Sequence, residues 1–458
     1  MKTLFASSEI FPFAKSGGLA DVANALPRAL SKSIDIISVM PFYGFMNISD
    51  FQKTDIKFDI NLGGINYAIE ILSRQNQDIL TYFIKAPLLS DTKNLYGDNK
   101  AYANNDIRFG IFSKAITQLA TILNVSIVHL NDWHCALSAF WLKDRKIKTL
   151  FTIHNLAYQG IFSKDSLNRL GIDEKHFNYK DLEFYGNCNF MKAGIRYSDA
   201  ITTVSPTYAK EILTPKFGCG LDGFLRFYKD KLSGILNGID TNFFNPISDK
   251  SIFKNFDKNS LTLKQPNREE LFKKTGLKDT KLPLFVMISR LVEQKGFDTI
   301  LASIDDLAKK ELNLLFLVDG ESEYKKPLIK YAKRYKNFEL IFGYNENLSH
   351  QIYASADFLL MPSLFEPCGL NQMIAMSYGA IPIVHSVGGL KDSVHENSKK
   401  CGQGIVFSKP TKKAFMLAIN RALKLKNRES IQKFNMECDF SFDKSALEYI
   451  KLYKKVLS

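Results

Sequence analysis

Short apolar runs alternate with segments whose apolar residues recur every three or four positions, and this alternation persists along most of the chain. In the first half the runs fall at Leu4, 36–40, 79–84, 127–130, 150–153, 201–204 and Ile235. Between the first and second runs, Leu19, Val22, Ala23, Leu26 and Leu30 keep helical spacing. Runs without polar alternation predict strands buried on both faces, and their alternation with helices predicts a parallel sheet covered on both sides. From 246 to 282 the pattern lapses into Asn, Lys, Asp and Ser, apart from a short helical stretch that Asn267 would cap with Glu270 three residues on. The strand rhythm then restarts at 284–288, 314–318, 340–342, 358–361, 381–384 and 405–407. After Ser441, Ala446, Ile450, Tyr453 and Leu457 predict a terminal amphipathic helix. The expected organisation is α/β: a doubly wound domain over 1–245, a connection over 246–282, a second doubly wound domain over 283–438, and a helix over 439–458.

Composition narrows the class. A chain of 458 residues exceeds the size at which one core keeps growing, so two domains are expected. No apolar run approaches the ~18 residues of a membrane span. Glu9 and Pro12 interrupt the start before it resembles a secretory signal, which predicts a cytoplasmic protein. The six cysteines show no metal-ligand spacing and read as packed, reduced thiols. The net charge of +14 is spread along the chain with no basic and aromatic module, so no nucleic-acid partner is expected. No Asp-x-Asp pair occurs, which argues against a metal-bridged diphosphate.

Candidate chemistry lies where strands end, the position at which such sheets bind ligands. After the first run comes Lys15-Ser16-Gly17-Gly18, opening a helix. Paired glycines let backbone N–H groups approach a ligand, and Lys15 adds the charge that a phosphate requires. Asn131-Asp132-Trp133-His134 and the heptad His154 to Gly160 follow two further runs. In the second half, Arg290 and Lys295 are spaced across one loop so that both could meet a diphosphate. Gly343-Tyr344 offers a ring for stacking. In Glu366-Pro367-Cys368-Gly369-Leu370 a carboxylate that could hold sugar hydroxyls precedes backbone N–H groups at a helix start, and no base is evident that would make Cys368 a nucleophile. Gly388-Gly389-Leu390 echoes the first glycine pair. Gly218-Cys219-Gly220-Leu221-Asp222-Gly223 fits a dinucleotide-binding pattern, but the helix start Ser205-Pro206 precedes it instead of a strand, so it reads as a loop.

Lys15 to Val22 resembles the Lys-x-Gly-Gly-Leu signature of bacterial glycogen synthases and plant starch synthases, and the later blocks follow in that family's order. Asn131, Asn345, Asn371 and Val387 stand where the family more often has His, His, Thr and Thr. The resemblance implies the GT-B architecture: two Rossmann-like domains with an interdomain cleft that closes on substrate, and a C-terminal helix crossing back to the first domain. It implies a retaining hexosyltransferase that moves glucose from ADP-glucose to the non-reducing end of an α-1,4-glucan, glycogen or maltooligosaccharide, without cofactor or metal. By the same resemblance Lys15, Arg290 and Lys295 hold the donor phosphates, and Tyr344 packs on adenine. Gly17, Gly18, Cys368, Gly369, Leu370, Gly388 and Gly389 surround the donor. His154 borders the transferred glucose, Glu366 completes the catalytic set, and Asp132 with His134 lies on the acceptor side. Alternative readings are a UDP-glucose-preferring synthase, a dinucleotide oxidoreductase, a glucan phosphorylase and a glucan-binding protein without catalysis. The last would be expected to have lost its phosphate contacts, yet Lys15, Arg290, Lys295 and Glu366 are all present. Oligomeric state is not written in these motifs.

Overall fold

The computed structural model describes residues 1–458 except 99, 279–280, 321 and 397. The chain forms two compact units, Met1–Asn237 together with Phe442–Ser458, and Gly238–Ser441. The segment 246–282, read from sequence as a connection, therefore lies inside the second unit. Its helix Lys264–Thr275 starts three residues before Asn267, which is not a cap: its side chain instead bonds Lys254 N–H and the Lys254 and Leu263 carbonyls.

The strands of the first unit are β1 (Lys2–Ala6), β2 (Asp35–Pro41), β3 (Gln52–Leu62), β4 (Ile65–Asn76), β5 (Ile79–Lys85), β6 (Ile127–Asn131), β7 (Lys148–Ile153), β8 (Ile161–Ser163), β9 (Glu183–Phe184), β10 (Asn187–Asn189), β11 (Ala200–Thr203) and β12 (Leu232–Gly234). Strands β8 to β10 make a small separate sheet, and the others join in the order β12-β11-β7-β6-β1-β2-β5-β4-β3. All of these neighbours pair in parallel except β3 with β4 and β4 with β5. Leu4, Val128 and Phe151 face one core with the helices Asn105–Ile122 and Trp133–Leu142. Phe5, Ile127 and Leu150 face the other core, with the helix Gly18–Ser31 and the C-terminal helix Asp443–Leu457. That last helix buries Ala446, Tyr449 and Tyr453 and leaves Leu457 exposed, so its inner face is rotated from the one the spacing predicts.

The second unit carries β13 (Leu284–Arg290), β14 (Asn313–Asp319), β15 (Phe338–Phe342), β16 (Phe358–Met361), β17 (Ile381–His385) and β18 (Ile405–Phe407). Their order is β15-β14-β13-β16-β17-β18, all parallel. In chain order this is 3-2-1-4-5-6, the doubly wound arrangement that leaves a crevice where the winding reverses. The reversal lies between β13 and β16 here, and between β1 and β6 in the first unit. The loops leaving those four strands contain Arg290 and Lys295, Glu366, Lys15, and Asp132.

Candidate active site

In the first unit, the chain leaving β1 passes through Glu9, which is 3% exposed. Its carboxylate accepts Ser16 N–H at 2.5 Å, the Ser16 hydroxyl at 2.6 Å and the Tyr96 hydroxyl at 2.5 Å. These bonds hold the loop before the helix Gly18–Ser31 begins. No side chain caps that helix. A Cβ on Gly17 would meet nothing within 4 Å, so packing does not require the glycine, and the space at its side-chain position, beside the helix start, is open. That combination suits an anion. Lys15 Nζ sits 2.9 Å from Asp21 Oδ1 in the first helical turn and 5.2 Å over the Phe11 ring.

Asp132, following β6, has φ 58° and ψ 178°. Glycine alone enters this region readily, and other residues lose ~1–3 kcal/mol there. Its N–H donates to the Thr152 carbonyl at 2.9 Å, and its carboxylate accepts the His154 N–H at 2.7 Å. Burial pushes the Asp132 carboxyl up to about 7, against the backbone bonds from His154 and Asn155. The Asn131 amide donates to the Ala6 carbonyl at 2.9 Å, which turns its oxygen toward His154 Nε2 at 2.8 Å. Nε2 therefore carries the proton, and Nδ1 keeps its lone pair. Burial lowers His154 to about 3, so the ring is neutral near pH 7.

His134, expected on the acceptor side, is turned into the core. Its ring stacks on Tyr96 at 4.7 Å and meets Phe109 edge-on at 4.7 Å, and only 7% of the residue is exposed. It backs Tyr96, which holds Glu9, which holds the Lys15 loop. Sequence reading missed Glu9 and Tyr96, because their bond spans 87 positions.

In the second unit, Arg290 ends β13 exposed to solvent. Lys295 closes a 3₁₀ turn, and its Nζ lies 2.7 Å from Glu366 Oε2, with side-chain exposures of 18% and 6%. Ser363 Oγ donates to the same oxygen at 3.0 Å. Gln294 ties the two loops together by accepting Leu364 N–H at 2.8 Å. Arg290, Lys295 and Glu366 thus belong to the two loops at the β13 and β16 reversal. Gly369 and Leu370 are half-buried beyond them.

Gly389 and Cys368 have a packing role that the expectation of donor contacts did not foresee. A Cβ on Gly389 would stand 2.3 Å from the Cys368 carbonyl oxygen, and its N–H donates to the Glu366 carbonyl at 3.0 Å. Cys368 is 5% exposed. Gly388 precedes them with φ 44° and is buried. Tyr344 is 61% exposed. The next residue, Asn345, caps the helix Glu346–Ser355 by accepting Leu348 N–H at 2.9 Å, which gives this asparagine a structural reason. The segment 218–223 is loop and helix start, and Ser205 caps the preceding helix Pro206–Glu211, so no strand leads into it. Among the described residues no cluster of three His, Cys, Asp or Glu side chains could hold a metal, and no helix is long and apolar enough to cross a membrane.

The starch synthase catalytic domain family matches residues 2–227, and the group 1 glycosyl transferases match residues 267–436. A glycogen synthase from Aquifex aeolicus is 43% identical over 100% of both chains, and one from Bacillus cereus is 40% identical over the same shares. The catalytic domain of starch synthase IV from Arabidopsis thaliana, bound to ADP and acarbose, superposes with TM-score 0.92 at 30% identity, covering 100% of this chain and 99% of that one. A sucrose-phosphate synthase from Thermosynechococcus elongatus, at 15% identity and TM-score 0.65, shares the fold alone. The chain belongs to the glycogen and starch synthase family, hexosyltransferases of the GT-B fold.

Proposed function

We propose that this protein transfers glucose from ADP-glucose to the non-reducing end of an α-1,4-glucan with retention of configuration, in the cytoplasm and without a metal or cofactor. The observation that carries the reading is the helix start without a side-chain cap, open at Gly17, with Lys15 fixed beside it. An anionic leaving group is what such a place stabilises. Breaking the bond between glucose and diphosphate leaves negative charge on the departing diphosphate and positive charge on the anomeric carbon. Lys15, Arg290 and Lys295 supply the cations, and the neutral His154 contributes hydrogen bonding beside the sugar. Glu366 holds the Lys295 ammonium group and offers its remaining lone pairs to sugar hydroxyls. Tyr344 stacks on the adenine, and Gly18, Gly369, Leu370 and Gly388 supply backbone around the donor. Asp132 faces the acceptor. No side chain stands out as a nucleophile, so retention proceeds by front-face displacement, with the leaving phosphate assisting the acceptor hydroxyl. ADP and acarbose bound to the Arabidopsis relative support both the nucleotide and the glucan sides of this reading.

The test is incorporation of labelled glucose into glycogen by the purified chain, with ADP-glucose and UDP-glucose in parallel and chelator present. Metal-independent incorporation from ADP-glucose is expected. Preference for UDP-glucose would overturn the donor assignment, and binding of glycogen without transfer would overturn the activity.

A further inference from the structure

The C-terminal helix Asp443–Leu457 makes a polar contact that packing alone does not call for. The Tyr453 hydroxyl lies 2.6 Å from His129 Nδ1 on β6. His129 Nε2 lies 2.7 Å from Thr152 Oγ1 on β7, and that oxygen lies 2.6 Å from Thr202 Oγ1 on β11. Tyr453, His129, Thr152 and Thr202 are each 1% exposed or less, so one chain of hydrogen bonds runs inside the core from the helix across three adjacent strands. A buried, hydrogen-bonded polar network fixes geometry more sharply than apolar packing does.

The network lies directly beneath the first-unit site. Thr152 accepts the Asp132 N–H on its carbonyl while its hydroxyl meets His129. His154 follows Thr152 by two residues, just past the end of β7, and Asn131, which holds His154 Nε2, follows His129 by two on β6. Asn131 and Thr152 are register partners. A left-handed backbone such as that of Asp132 persists only where its surroundings over-determine it, and the Thr152 carbonyl, which takes its N–H, is one of its holds.

We infer that Tyr453 is a positioning residue for Asp132 and His154, acting through His129 and Thr152, an inference that rests on the glycosyl-transfer reading above. The phenol is a stronger acid than a threonine hydroxyl, so Tyr453 donates to Nδ1, Nε2–H donates to Thr152 Oγ1, and the Thr152 hydroxyl donates to Thr202. The ring is neutral in this arrangement, as its burial also requires.

The experiment compares the full chain with Tyr453→Phe and with the double variant Tyr453→Phe/His129→Leu. The single change strands the Nδ1 lone pair in the core, and the double change removes the stranded group together with the tie to Thr152. Glucose incorporation is measured with donor and acceptor varied separately, alongside urea midpoints. Both variants are expected to lose about 10-fold in kcat with KM for ADP-glucose changed by less than about twofold, while the double variant regains stability. A kcat that recovers together with stability, or a folded Tyr453→Phe with wild-type kcat, would overturn the inference. Nitrogen NMR of the imidazoles supplies a readout independent of turnover: the His154 Nε2–H signal is expected to shift in both variants, and unchanged signals would count against the positioning role. A wild-type chain that incorporates no glucose would sink the glycosyl-transfer reading itself, leaving the NMR comparison to decide the coupling.

Discussion

Replacing Glu9 with glutamine tests whether the Lys15 loop is held from beneath. The carboxylate takes Ser16 N–H, the Ser16 hydroxyl and the Tyr96 hydroxyl at 2.5, 2.6 and 2.5 Å. Glutamine of the same length keeps all three bonds only by aiming its oxygen at Ser16 N–H and its NH₂ at the two hydroxyl oxygens, which must then turn their own protons elsewhere. A hydrogen bond to a charged group contributes ~1.5–3 kcal/mol and a neutral one ~0.5–1.5 kcal/mol. Losing the charge therefore removes about 1 kcal/mol or slightly more per bond, ~3–4 kcal/mol for the three. With Glu9 3% exposed, water makes up little of that loss.

The assay is built into the chain. Its two tryptophans, Trp133 and Trp141, both lie in the first unit, and Trp133 sits against His134, which backs Tyr96. Tryptophan fluorescence during urea unfolding therefore reports on this unit. Glu9→Gln should lower its stability by ~3 kcal/mol. It should also reduce kcat about 10- to 100-fold, because a cation displaced by an ångström loses its purchase on the developing charge. An unchanged fluorescence midpoint with turnover within about twofold of wild type would refute the reasoning, since the loop would then be held by other contacts.

Lys15→Ala and Arg290→Ala should each reduce turnover ~10²- to 10³-fold while leaving Tm nearly unchanged, because the Lys15 pair is partly solvated and Arg290 is exposed; a large fall in Tm would assign either residue to folding instead. Gly17→Ala and Gly389→Ala should part company: the first folds normally and raises KM for ADP-glucose, whereas the second drives a methyl against the Cys368 backbone and lowers Tm, and equal thermal stabilities would contradict the spacing measured at the two glycines. His154, at about 3 when folded against 6.5 unfolded, contributes stability that is complete above 6.5 and is lost as pH falls toward 3. Asp132, raised from 3.8 to about 7, has the opposite sign: its contribution is complete below 3.8 and is lost as pH rises through 7. Asp132→Asn should therefore steepen the loss of stability on acidification, read as urea midpoints between about pH 4.5 and 7.5, and an unchanged or shallower slope would show that the carboxyl is not raised.

The parallel strands were legible because a strand buried on both faces must be apolar throughout, and β13, β14, β16 and β17 each contain such a run. The hairpin β3 and β4 was not, since one face of it meets solvent and its residues are largely polar. Its one local mark is Gly63-Gly64, both at positive φ, as a two-residue hairpin turn demands. The polar stretch 246–282 reads as a linker for a similar reason, yet two of its cations, Lys264 and Arg268, are buried and satisfied. Lys264 donates to the Tyr378 carbonyl at 2.7 Å, and Arg268 bonds both the Ser355 carbonyl and the Asp357 carboxylate. A cation that saturates carbonyls in the core looks, in sequence, the same as a cation in water.

The motif residues announced themselves because each follows the end of a parallel strand, four of those strands where the winding reverses, and position there is a local property. Their tasks are not local. Gly17 and Gly389 stand in near-identical tripeptides, and only the fold makes one an opening and the other a spacer. His134 lies two residues from Asp132 and supports a different loop through Tyr96 and Glu9. The same remoteness explains the arrangement of charge. Lys295 is held by Glu366 across 71 positions, and Lys15 by Asp21 six positions on, so both ammonium groups are in place before any ligand arrives. Each carboxylate partner lowers the net charge of its pair, which weakens long-range attraction for the donor. It also fixes the cation so that none must reorganise as the diphosphate departs. Transition-state stabilisation depends chiefly on that absence of reorganisation, which is what the proposed transfer from a nucleotide diphosphate would ask of each paired lysine.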